Sequence, residues 1–83
     1  GVRSEWDIGK TVMYLTVSEH RIFHERRGIL FDSKQDYDEA AAMESRMSFR
    51  QKQEYKAIKS NQQSIKRIDQ EILRRDKEWF GEC

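Results

Sequence analysis

The chain has 83 residues, with sixteen Lys and Arg against fifteen Asp and Glu; its net charge is +1, and 37% of the residues are charged while 36% are apolar. That apolar supply suits one small domain over 1–83, and the near-neutral balance supplies no global field drawing the chain to nucleic acid or membrane. No apolar run approaches the ~18 residues that a membrane span needs, no signal-peptide pattern is present, and the single cysteine, Cys83, permits no internal disulfide and sits in no metal-ligand spacing, which fits a reducing intracellular compartment.

The N-terminal segment reads first as a helix. Ser4-Glu5-Trp6-Asp7 has the shape of a capping box. Ile8, Val12, Leu15, Glu19, Ile22, Arg26 and Ile29 then recur at alternating steps of four and three, a helical stripe of mostly large aliphatics. The pattern predicts helix over 5–27, closed by Gly28, with Arg26 and Arg27 in the last turn where the helix dipole favours them. A second reading competes. Thr11-Val-Met-Tyr-Leu-Thr-Val17 is rich in β-branched and aromatic residues and reads as a strand. Thr16 or Ser18 would then cap a short helix ending near Gly28, and Ile29-Leu30-Phe31 would form a second short strand. Two strands without a larger sheet are barely stable in water, and the stripe covers more of the segment, so the helix is preferred. Under either reading Met13, Tyr14, Val17 and Phe23 do not share one face.

After a turn over 28–33, the segment 34–80 contains neither Pro nor Gly and is dominated by good helix formers. Ser33 with Asp36 resembles a capping box at its start, Asp36, Asp38 and Glu39 suit the first turns, and Gly81 marks its end. The apolar residues follow a heptad. Ile58, Ile65, Ile72 and Trp79 take position a; Ala40, Met47, Glu54, Asn61, Ile68 and Arg75 take position d. The seam is convincing only from Ile58 to Ile72. Asn61 on that seam either fixes register at a cost in stability or is a tolerated polar residue.

The predicted fold is therefore mostly all-α: a short N-terminal helix folded back on a long C-terminal helix, a helical hairpin with coiled-coil-like character. A small N-terminal β-ribbon plus a long helix is the alternative. At about 1.5 Å per residue the two helices would span about 35 Å and about 67 Å, so helix one would cover helix two only to Ile58. An isolated helix is marginal without tertiary burial. The uncovered seam thus predicts contact with a protein partner or a second copy through Ile58, Ile65, Ile68, Ile72, Trp79 and Phe80, the two aromatics being the natural anchors. Parallel self-pairing would set Glu71 near Asp76 of its twin, which favours an antiparallel or heteromeric arrangement. The function expected is protein–protein interaction or oligomerisation, as a structural or accessory subunit of a larger assembly.

A second function rests on charge. Arg46, Arg50, Lys52, Lys56, Lys59, Lys66 and Arg67 face a single acid, Glu54, over 46–67. Such a stripe tracks phosphates in a salt-dependent way, with Phe49 and Tyr55 placed among the bases for stacking. No helix-turn-helix, zinc-finger or RNA-binding signature accompanies it.

Motifs of chemistry fail on inspection. Gly9-Lys10-Thr11 matches the end of a phosphate-binding loop, but Ser4 stands where the motif needs its first Gly. His20 and His24 are four apart, half of a metal site at best, with Glu25 adjacent and no third ligand in view; Arg21 occupies the position where a zinc-protease helix needs Glu. Solvent-exposed histidines are the expectation. No serine or cysteine nucleophile pairs with a base by spacing, and a thin hairpin lacks a concave apolar pocket. The chain is expected not to be an enzyme, to bind no metal, cofactor or small-molecule substrate, and to span no membrane.

Overall fold

The computed structural model describes residues 3–8 and 11–80; of residues 7, 8, 11 and 76–80 it describes the backbone alone. The chain is mostly helical with a small antiparallel sheet. Strands β1 (Ser4–Ile8) and β2 (Thr11–Leu15) are followed by helices α1 (Val17–Phe31), α2 (Lys34–Glu44), α3 (Phe49–Ser60) and α4 (Gln62–Phe80).

The β-branched and aromatic content of 11–15 prevails over the helical stripe, so the expected helix over 5–27 gives way to a ribbon and a shorter helix. The partner of β2 is β1, with Ser4 opposite Leu15 and Trp6 opposite Met13. Ile29-Leu30-Phe31, the strand expected in the alternative reading, is instead the last turn of α1. Pleating sorts the ribbon into two faces: Met13 and Leu15 are buried, while Val12 and Tyr14 are exposed. The ribbon persists because its inner face is packed. Met13 and Leu15 join Phe23 of α1 and Ile72 of α4 in one apolar cluster, with Trp6, Leu30 and Ile68 around it. The Trp6 indole N–H donates to the Leu15 carbonyl at 3.3 Å and ties the two strands at that face.

Helix α1 begins at a reciprocal capping box: the Thr16 hydroxyl accepts from the Glu19 N–H at 3.2 Å, and the Glu19 carboxylate accepts from the Thr16 N–H at 2.9 Å. It runs through Gly28, which is no stop. There the missing side chain lets α2 come close, since a Cβ on Gly28 would stand 3.1 Å from Cγ of Tyr37. The turn is carried by Asp32, in the left-handed region at φ 51°, whose N–H bonds to the Gly28 carbonyl. Ser33 then caps α2 as expected, accepting from the Asp36 N–H.

The segment 34–80 is three helices rather than one. Side chains that compete with the helical backbone make both breaks. Ser48 and Gln51 form a full capping box at the start of α3. Asn61 leaves the helical conformation, and its side-chain oxygen accepts from the N–H groups of Gln63 at 3.1 Å and Ser64 at 3.2 Å, capping α4. Asn61 is thus a joint and a cap, not a register marker on a continuous seam. The breaks let α2, α3 and α4 each fold onto α1, which touches all of them and the ribbon. A second cluster, Ile22 with Met47 and Tyr55, is completed by Val17, Ile58, Ile65 and Ile68. The molecule measures 41 × 25 × 24 Å.

Candidate functional site

Helix α3 is pinned to α1 by one face. The Ser18 hydroxyl, fully buried, lies 2.9 Å from the Gln51 carbonyl and 3.3 Å from the Glu54 carboxylate. The Tyr55 hydroxyl donates to Glu25 at 2.5 Å, and the Arg21 guanidinium stands 3.7 Å over the Tyr55 ring. Burial pushes the Glu25 carboxyl up, but hydrogen bonds from Lys59 and Tyr55 and the charges of Lys59 and Arg21 outweigh it and hold the group below its ordinary value. With Gln51, Glu54, Tyr55 and Ile58 turned inward, helical spacing turns Phe49, Lys52 and Lys56 outward together. Phe49 is 78% exposed, the most open of the large apolar side chains among the described residues.

All seven predicted bases, Arg46, Arg50, Lys52, Lys56, Lys59, Lys66 and Arg67, are exposed. Lys59 is bound to Glu25 at 2.8 Å, and that hydrogen bond raises its ammonium above the ordinary range. The other six have no acidic partner among the described residues. Arginines elsewhere are paired: Arg3 with Glu19, Arg21 with Glu44, Arg26 with Asp69 through two bonds of 2.8 Å, and Arg74 and Arg75 with Glu71. Tyr55, expected beside Phe49 as a stacking surface, is instead core.

The isoleucines of the predicted protein interface pack within the chain. Ile72 is buried against the ribbon and Phe23, and Ile58, Ile65 and Ile68 pack on the second cluster. From Ile58 to Ile72 the chain covers its own seam, because the breaks at 45–48 and Asn61 fold that stretch inward. The side chains of Trp79 and Phe80 lie outside the described residues.

The histidines expected at the surface are buried. Helical spacing sets His20 and His24 one turn apart on α1, and their Nε2 atoms are 3.0 Å apart. Asp36 of α2 approaches His24 Nδ1 at 2.9 Å, and Trp6 stacks on His20 with ring centroids 4.4 Å apart. Burial, followed by the neighbouring His24, lowers His20 from 6.5 to about 4, so the ring is neutral at physiological pH; its Nδ1 is buried without a hydrogen-bond partner. The pair lines a groove of about 740 Å³ shared with Trp6, Arg27, Asp36 and Glu39. The i, i+4 spacing was visible in the sequence. The burial was not, because it depends on the ribbon placing Trp6 over α1 and on α2 delivering Asp36.

Among the described residues no helix is long and apolar enough to cross a membrane. Comparison with protein-family models, with curated proteins and with solved structures finds no match.

Proposed function

We propose that the chain is a small, non-catalytic nucleic-acid-binding protein whose contact surface is the outer face of α3 with the adjoining Arg46, Lys66 and Arg67. One observation carries this reading: six exposed bases without acidic partners among the described residues gather in a single stretch, whereas the described arginines elsewhere pair with carboxylates. Unpaired surface cations release counterions when phosphates replace them, and that release drives association without sequence readout. Phe49, open and on the same face as Lys52 and Lys56, adds a ring on which an unpaired base stacks. A protein–protein role for the C-terminal seam has less support, since Ile58 of α3 and the three isoleucines of α4, Ile65, Ile68 and Ile72, pack within the chain.

The test is fluorescence anisotropy with a labelled single-stranded oligonucleotide at two salt concentrations. Binding should appear at low salt and weaken with a log–log slope of about −0.7 for each phosphate neutralised. The double variant Lys52→Glu, Lys56→Glu should bind at least tenfold more weakly with a shallower slope and an unchanged circular dichroism spectrum. Absence of binding at low ionic strength, or equal affinity of the folded double variant, overturns the reading.

A further inference from the structure

The buried pair beneath Trp6 carries a second inference, independent of the basic surface. Two imidazole nitrogens 3.0 Å apart cannot present bare lone pairs to each other; a proton or a cation must lie between them. Asp36 settles the state of one ring. Its carboxylate, 2.9 Å from His24 Nδ1, holds a proton on that atom, so a neutral His24 offers the lone pair of Nε2 toward His20. A carboxylate behind a histidine is the arrangement that metal-ligating histidines take, and a metal here replaces the proton between the two Nε2 atoms, with His20 carrying its own proton on Nδ1.

The spacing also selects among metals. With metal–nitrogen bonds of about 2.0–2.1 Å, two nitrogens at a tetrahedral angle lie about 3.3 Å apart, and two at a right angle about 2.9 Å. The 3.0 Å separation lies nearer the right angle, which square-planar, tetragonal and octahedral shells share, than the tetrahedral angle of structural zinc, and Cu(II) and Ni(II) are the ions of that kind that imidazole suits best. Among the described residues no group of three or more His, Cys, Asp or Glu converges as a ligand set, so the protein supplies two ligands and water in the groove completes the shell. Arg27, 3.5 Å from Asp36, opposes a cation electrostatically and limits the affinity.

We propose that His20 and His24 form a two-histidine site for a divalent transition metal, Cu(II) or Ni(II), through their Nε2 atoms, with Asp36 orienting His24 from behind.

The experiment titrates the full chain, with Cys83→Ser to remove the competing thiol, with nickel(II) chloride near neutral pH, followed by calorimetry and by NMR of the imidazole protons. One equivalent should bind, and the paramagnetic ion should broaden the His20 and His24 resonances first. Asp36→Asn should weaken binding about 10–100-fold, the loss typical of an outer-shell partner. His24→Ala should abolish the site while leaving oligonucleotide binding in place. The NMR arm needs no substitution at the site itself, so misfolding of a His24 or Asp36 variant leaves the proposal open to failure. No broadening of these two rings at tenfold excess of nickel(II), or equal affinity in a folded His24→Ala chain, overturns it.

Discussion

His20 sets a pH limit on the fold. Its folded value of about 4 lies below the ordinary 6.5 because burial and the neighbouring His24 disfavour the charged ring. Between those values the unfolded chain binds more protons than the folded one, so the stability held by the neutral ring is complete above 6.5 and is lost progressively as pH falls toward 4. Going from pH 7 to pH 5 should therefore cost about 2 kcal/mol in urea unfolding, with His20→Gln showing a flatter profile. Glu25 and Glu71 are both held below their ordinary 4.5, so their losses fall at lower pH and do not mask this window. Equal pH dependence in the variant would refute the assignment to His20.

At the scale of elements, short polar side chains decide where helices end. Asn61 satisfies two N–H groups at the start of α4, and Asn61→Ala should cost about 0.5–2 kcal/mol, with Asn61→Asp or Asn61→Ser recovering most of it. Ile72, 2% exposed, should cost more: Ile72→Ala forfeits about 2–5 kcal/mol through lost burial and the cavity left behind. Thermal or urea unfolding of the two variants ranks them; an Asn61→Ala loss exceeding that of Ile72→Ala would place the main support of α4 in its cap rather than in its packing. Much at this scale was legible. Ser33 with Asp36 marked the start of α2, and the β-branched and aromatic content of 11–17, with Thr16 as a possible cap after it, offered the strand as the second reading, although the helical stripe was preferred. The break at 45–48 was in plain view, as Ser48 followed three residues later by Gln51, but the absence of Pro and Gly over 34–80 outweighed it. The partner of β2 was not readable from spacing, since Ser4–Ile8 fits a helix start as well as a strand until Trp6 finds its place over α1.

For the whole molecule, the breaks convert an expected rod of about 67 Å into a body 41 Å long with a radius of gyration of 12.5 Å, close to the roughly 12 Å of a compact chain this size. Compaction explains why the basic stripe survived the passage from sequence to structure and the apolar seam did not. A row of like charges has no reason to turn inward, whereas isoleucines at helical spacing turn toward any core within reach. The seam was read as apolar and left without a neighbour; from Ile58 to Ile72 its neighbours are α1 and the ribbon of the same chain.

Charge is also divided along the chain. Residues 46–67 hold seven bases and one acid, while the remainder holds nine bases and fourteen acids, so a positive lobe of +6 offsets −5 elsewhere. The net value of +1 conceals an electric dipole. Adsorption to a charged resin follows the local patch, not the total, as long as the ionic strength is low enough for the patch to be felt. At pH 8.1, the isoelectric value of the sequence, the protein should still be retained on a cation-exchange column and should elute earlier as Lys52→Glu, Lys56→Glu. Passage through the column without retention at that pH would mean that the acidic remainder cancels the lobe at the surface.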